Sequence, residues 1–315
     1  MKRILNRLLQ SILTMFIVSI LCFGLIKSAP GDPVLTFVEP NMSEEYINTL
    51  RENLGLTKPI SQQYFIWLKN ILQGNFGNSL MNKRPVLQQI AERLPATLLL
   101  MGSSLILSVI ISIPLGLFSG KYKNGRFDKI TSTLSYIGIS IPSFWFGILL
   151  IYLFSVNLGL LPSIGMRTDG IDKLSDLLLH LIMPCAVLTF SNVAQFTRFI
   201  RSSTITELSN DYVIVQKAYG MSETGILFRH VLKNAMLPMI TVLGMSLQSL
   251  VSGAIICEQV FAWPGTGQLA VTAVTTFDYP LIMGITMFTA LLIVIGNLAA
   301  DGLYSFIDPR IRRNR

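Results

Sequence analysis

The chain has 315 residues, is 51% hydrophobic and only 13% charged, and carries a formal net charge of +8. An average soluble domain is roughly 25% charged, so this composition excludes a disordered segment, a disulfide-stapled secreted module and an ordinary soluble enzyme. In a soluble protein the basic balance would point to nucleic acid. Here the basic residues cluster in short segments between long uncharged runs, as membrane topology requires. Cys22, Cys185 and Cys257 each lie in an apolar run without a metal-ligating neighbour and read as buried small hydrophobes.

Six charge-free stretches are long enough to cross about 30 Å of hydrocarbon. They are Leu8 to Ile26, Leu94 to Gly120, Ile130 to Met166, Leu177 to Thr197, Asn234 to Cys257 and Tyr279 to Ala300. The third is too long for one helix, and its helix is expected near residues 132 to 158. Pro114, Pro142 and Pro184 are expected to bend their helices or mark a gate. Loop segments 1–7, 121–129, 198–233 and 301–315 together carry +10, whereas 27–93, 167–176 and 258–278 carry −2. The positive-inside bias therefore predicts six spans with both termini in the cytoplasm. The first run resembles a signal peptide in its basic start, but it is long and its Ala29-Pro30 site is poor for cleavage, so it is read as a retained membrane helix.

The segment after the first span is too long for a simple connector. Ser43 with Glu44 and Glu45 marks a helix start, and Tyr46, Ile47, Leu50 and Leu54 recur at helical spacing until Gly55. Pro59 opens a second helix bearing Tyr64, Trp67 and Leu68, closed by Gly74. Its aromatics are read as packing groups, with peptide stacking on Trp67 as the alternative. Arg84 to Leu94 reads as an interfacial amphipathic helix that turns into the second span at Pro95.

None of the six stretches has an Asp, Glu, Lys or Arg at its centre, which weakens an ion-coupled carrier. No phosphate-cradling GxxxxGK[ST], HExxH or paired-carboxylate motif occurs. Small polar residues remain. Ser103, Ser104, Ser108 and Ser112 mark the second span, Ser140 and Ser143 the third, and Ser246, Ser249 and Ser252 the fifth. They serve either close helix packing or a wet path for polar solutes, and Ser143, Ser246, Ser249 and Ser252 are the candidates for that path.

Between the fourth and fifth spans, residues 198–233 hold two short helical patterns, Asp211 to Tyr219 and Ser222 to about Asn234, separated by Gly220 at a left-handed stop position. Such order suits docking into a groove of another protein. The stretch from Asp211-Tyr212-Val213 through Lys217-Ala218-Tyr219-Gly220-Met221-Ser222-Glu223 to Arg229-His230-Val231-Leu232-Lys233-Asn234-Ala235-Met236-Leu237-Pro238 resembles the coupling loop of ABC importer permeases in the dipeptide, oligopeptide and nickel family. The resemblance extends to Ala29-Pro30-Gly31-Asp32-Pro33, Gly74-Asn75-Phe76-Gly77-Asn78-Ser79, Glu92-Arg93-Leu94-Pro95-Ala96-Thr97, Glu258 to Gly267 with Trp263-Pro264-Gly265, Asp278-Tyr279-Pro280 and Ile307-Asp308-Pro309-Arg310. These motifs resemble those of the first of the two permeases of such systems. The loop departs from the family's general form in having Ile214-Val215-Gln216 where Glu-Ala-Ala stands, Tyr219 where Lys is usual, and Asn75 where Asp is frequent.

The resemblance implies an all-α, polytopic permease of the type I importer fold. It implies coupling to an ATPase through Gln216, Ala218, Gly220, Ser222, Arg229, Lys233 and Pro238, and an extracytoplasmic motif at Gly31, Asp32, Trp263, Pro264 and Gly265. It further implies a bacterial inner-membrane location, a second homologous permease, two cytoplasmic ATPase subunits and an extracytoplasmic binding protein. The chain itself would bind no cofactor, with ATP and Mg2+ held by the ATPases. The expected organisation is an N-terminal segment and first span over 1–30, an extracytoplasmic segment over 31–93, a five-helix core over 94–305 and a basic tail over 306–315. The expected cargo is a di- or oligopeptide. Alternatives are nickel or metal chelates or glutathione-like solutes, and, in another class, a secondary transporter. With His180 and His230 as its only histidines, the chain offers little to a bare metal ion.

Overall fold

The computed structural model describes residues 2–28, 43–53, 55–236, 239, 242–243 and 254–307. Among them the chain is helical, with one isolated antiparallel bridge between Asn78 and Pro85. The helices are α1 (Lys2–Ser28), α2 (Glu44–Asn53), α3 (Ile60–Leu72), α4 (Val86–Lys121), α5 (Arg126–Ser140), α6 (Ser143–Leu150, continued by a π-helical Ile151–Asn157), α7 (Leu174–Leu208), α8 (Asp211–Ala218), α9 (Glu223–Ile226, continued by a π-helical Leu227–Val231), α10 (Ile255–Val260), α11 (Thr266–Thr275) and α12 (Tyr279–Ile307). Two compact units emerge: residues 1–95 with 268–294, and residues 96–267 with 295–315.

Among the described residues, four helices are long and apolar enough to span a membrane, and a fifth span results if α5 and α6 are taken as one broken pair. The remaining predicted span, Asn234 to Cys257, falls largely outside the described residues. A single helix over 132–158 does not form: the chain bends by 99° between α5 and α6. The cause is local. Pro142 has no N–H to donate and pushes its predecessor out of the helical region, and Ile141 accordingly takes φ −78°, ψ 123°. Pro95, Pro114 and Pro184 lie inside helices that run on without interruption. The expected turn at Pro95 is therefore absent, and the amphipathic start and the second span form one helix of 36 residues.

In the first unit, α2 and α3 form where the spacing predicts them, with Pro59 before α3 and Gly55 and Gly74 at φ +67° and +78° after the two helices. Phe23, Tyr64 and Trp67 make a ring cluster with centroids 5.4 to 6.0 Å apart, and Tyr64 and Ser19 hydroxyls lie 2.8 Å apart. Trp67 thus packs against Phe23 and Tyr64 while staying half-buried. Asp278 is buried before α12 and ties two segments: the Ser79 hydroxyl donates to it at 2.5 Å, and the amides of Leu80 and Leu281 at 3.1 and 3.3 Å. The Leu281 bond caps the helix that follows.

In the second unit a ridge of small residues decides how α4 meets α7. Ser104, Ser108, Ser112, Gly116 and Gly120 recur at every fourth position, and the three serines are fully buried. A Cβ on Gly116 would stand 2.5 Å from Cβ of Ile200, and one on Gly120 would stand 2.6 Å from Cβ of Thr204. Only glycine permits that approach. The serine hydroxyls satisfy themselves on carbonyls one turn back, Ser104 on Met101 at 2.9 Å and Ser108 on Ser104 at 2.5 Å. For these serines the packing role holds and the wet-path role does not.

At the ridge's end, Asp128 at the start of α5 is buried and accepts from Arg201 Nε and Nη2 at 2.5 and 2.8 Å, from Ser119 at 2.6 Å and from the Asn124 amide at 2.8 Å. A two-pronged pair with further donors is the arrangement that can compensate for removing charge from water. It fastens α4, α5 and α7 together.

Candidate functional site

The 209–236 segment starts from a carboxylate. Glu207, in the last turn of α7, accepts at Oε2 from Tyr212 Oη at 2.8 Å, Asn234 Nδ2 at 3.1 Å and Asn210 Nδ2 at 3.2 Å. One side chain thereby joins the beginning of the segment to its end. Burial raises the Tyr212 pKa, and the bond to Glu207 adds to the effect, so the phenol keeps its proton.

Helix α8 ends in a fully formed left-handed stop. Gly220 takes φ +79°, its amide donates to Lys217 O at 3.0 Å, and the Met221 amide donates to Gln216 O at 3.1 Å. These are the two bonds of a Schellman motif, which caps carbonyls that α8 would otherwise leave unpaired. Two residues on, Ser222 caps α9 by accepting from the Gly225 amide at 3.2 Å. Stop and start are separated only by Met221, so the angle between the two limbs is set by short-range geometry.

The segment has two unlike faces. Val213, Ile226, Leu227, Val231, Ala235 and Met239 are buried in one cluster with Leu117 of α4 and Phe196 and Ile200 of α7. On the other face Tyr219 is 88% exposed, Ile214 64% and Val215 51%. Ala218 and Gly220 are also exposed, leaving the turn slim. Glu223 reaches Lys121 at 3.5 Å and Lys217 at 3.7 Å, so it bridges the turn from the solvent side.

Of the residues singled out from the sequence, Gln216, Ala218, Gly220 and Ser222 meet at this turn. Arg229 and Lys233 are exposed one helical turn apart on the second limb. Gln216 Oε1 and His230 Nε2 are buried without a hydrogen-bond partner among the described residues. Pro238, Ser246, Ser249, Ser252, Gly31 and Asp32 lie outside the described residues. Ser143 opens α6 and is half-buried.

Trp263, Pro264 and Gly265 belong to a second knot. Trp263 is fully buried and donates from Nε1 to Ala96 O at 2.8 Å. Thr97 Oγ1 donates to Glu258 Oε1 at 2.9 Å and accepts from the Thr266 amide at 2.8 Å. The buried Glu258 carboxylate lies under the turn, where a Cβ on Gly265 would fall 2.3 Å from its carbon and one on Gly267 2.9 Å from Oε2. Ala96 and Thr97, which end one stretch of the resemblance, are thus joined to Glu258, Trp263 and Thr266 of another. The sequence did not assign these roles. The signal was there: Glu258 immediately follows an uncharged run, and a carboxylate in that place needs partners.

The arrangement offers shape and packing but no reaction chemistry. No group of three or more His, Cys, Asp or Glu able to hold a metal occurs among the described residues.

Comparison with known proteins agrees with this architecture. Residues 112–313 match the family of binding-protein-dependent transport system inner membrane components, and residues 1–101 match the N-terminal model of such membrane components. The oligopeptide transport system permease protein AppB of Bacillus subtilis (strain 168) is 43% identical over 310 residues, covering 98% of both chains. The glutathione transport system permease protein GsiC of Escherichia coli (strain K12) is 38% identical over 309 residues, again covering 98% of both. Among solved structures, the MetNI methionine ABC transporter in an inward facing conformation aligns with a TM-score of 0.55 at 17% identity, covering 70% of this chain and 97% of that one, a likeness of fold. The chain belongs to the family of inner-membrane permease components of binding-protein-dependent ABC transport systems, whose role is non-catalytic.

Proposed function

We propose that this chain is one of two pore-forming permeases in an ATP-driven importer of di- or oligopeptides, with both termini in the cytoplasm. Its partners are a second homologous permease, two cytoplasmic ATPases that bind ATP and Mg2+, and an extracytoplasmic peptide-binding protein. The similarity to AppB and GsiC supports a peptide-like cargo, since glutathione is itself a small peptide. The observation that carries the coupling role is the two-faced 209–236 segment. One face is fixed in the core with α4 and α7, while Ile214, Val215 and Tyr219 stand free for a groove.

In this mechanism closure of the ATPases pushes on α8. Because Gly220, Ser222 and Glu207 hold the segment rigidly, the push moves α4 and α7 as a body. Gln216 and Ala218 meet the ATPase, and Arg229, Lys233 and Pro238 position the second limb. Arg229 and Lys233 face carboxylates on the partner or lipid headgroups. The chain does no bond chemistry. It converts a partner's closure into opening and closing of a path.

The test is reconstitution. Affinity purification of the tagged chain from its native membrane should recover a second permease and two ATPases, and vesicles containing them should take up a labelled tripeptide only with ATP and the binding protein. A chain recovered alone that transports on an ion gradient would replace this reading with a secondary carrier. Reporter fusions after residues 60, 170 and 270 should lie outside, and those after 125, 215 and 312 inside.

A further inference from the structure

Between α5 and the last third of α7 lies a cavity of about 660 Å3 whose wall includes Ser132, Tyr136, Gln195, Arg198, Arg201 and Ser202. On α7, Ser191, Gln195, Arg198 and Ser202 follow one another at helical spacing, so they form one stripe. On the opposite side of the same helix, Ala194, Thr197, Ile200 and Thr204 are buried in the packing with neighbouring helices. Gln195 lies inside the charge-free run of α7 and Arg198 just past its end; an amide at such a depth is costly against hydrocarbon, and such groups face a protein interior or water. The cavity supplies that surrounding, and Ser132 and Tyr136 of α5 make its far wall polar too.

The two arginines in this wall differ. Arg201 is committed to Asp128 through both Nε and Nη2. Arg198 instead has its guanidinium 5.0 Å from the centre of the Tyr136 ring and makes no ion pair among the described residues. A guanidinium held over an aromatic face keeps N–H donors that match the two oxygens of a carboxylate. Arg198 is exposed, so a bound anion leaves readily.

We propose that this cavity is a stretch of the cargo path and that Arg198 is a specificity-determining residue, a transient station for cargo carboxylates. Gln195 and the wall serines exchange hydrogen bonds with the cargo's amides. The assignment rests on the peptide-importer reading, and its test separates the two. Ser191→Cys, Gln195→Cys and Ser202→Cys are made in the assembled complex, with the wild-type chain as blank because Cys185 and Cys257 are buried and Cys22 is half-buried. A membrane-impermeant maleimide in inside-out vesicles should label all three, and transported tripeptide should protect them. Labelling that appears only when the second permease is removed, or not at all, would make this face a subunit contact or a lipid face and overturn the proposal.

Uptake of Ala-Glu-Ala is then compared with uptake of Ala-Lys-Ala. Arg198→Gln should lower their ratio about tenfold relative to wild type, the size expected from losing one charge-assisted contact. Arg198→Lys should retain most of it. The same binding protein serves every variant, so its own preferences cancel. An unchanged ratio in Arg198→Gln overturns the role of Arg198. If the wild-type complex carries neither peptide, the peptide reading fails, whereas the labelling pattern still reports whether the cavity is wet.

Discussion

Two glycine turns sit in two family motifs and need glycine for opposite reasons. At Gly220 the space around a hypothetical Cβ is open, and the demand comes from φ +79°. At Gly265 the demand comes from a buried carboxylate, which a Cβ would approach to 2.3 Å. The first turn sets a direction and presents itself outward. The second is filled, so it functions as a fastening. Residue type alone is the same at both positions, and only the surroundings separate a glycine of conformation from a glycine of space.

The largest effect is expected at the filled turn. Gly265→Ala should destabilise the protein by about 1–3 kcal/mol or more through overpacking against Glu258, read as loss of folded permease in the membrane. The double variant Gly265→Ala, Glu258→Ala should be no less stable than Glu258→Ala alone, because the obstructing atoms are gone. A further loss in the double variant would show that something other than the carboxylate demands the glycine.

Next comes the helix ridge, another place where space is the constraint. Gly120→Val should push α4 from α7 at Thr204 and cost roughly 1–3 kcal/mol, measured as a lowered thermal midpoint of the detergent-solubilised complex. Smaller still is Gly220→Val, where strain at positive φ is about 1–2 kcal/mol with no clash to add; membrane abundance should stay near normal, and Gly220→Asn should be milder than Val. A collapse of abundance in Gly220→Val would erase the distinction between the two turns. Least of all is Glu223→Gln, since its contacts to Lys121 and Lys217 are long and solvent-facing and worth less than about 1 kcal/mol. Uptake should remain within about twofold of wild type.

Much of this was legible in the sequence because the signals are local. Gly220 after Asp211 to Tyr219, Ser222 before an apolar repeat, Pro59 before α3 and the long uncharged runs each state their structure within a few residues. What escaped depends on distant partners. By sequence Asp128 and Arg201 read as loop charges, yet they pair, with Asp128 buried and Arg201 partly so. Asp278 was counted as an outer-loop charge and proves to cap α12 while holding Ser79. The serine ridge of α4 admitted both packing and path readings until α7 was seen against it. The path candidates Ser246, Ser249 and Ser252 lie outside the described residues, whereas the Gln195 and Arg198 stripe is hard to read from sequence because Gln195 lies inside a charge-free run and Arg198 just beyond its end.

The central claim is that the 209–236 segment transmits force and does not merely close a loop. The measurement that tests it most directly is the ratio of ATPase to permease recovered when tagged wild-type and Gly220→Val chains are purified from membranes containing equal amounts of each. The account predicts that Gly220→Val inserts normally but loses most of its bound ATPase and its peptide uptake. Recovery of ATPase at the wild-type ratio, with uptake intact, would contradict it.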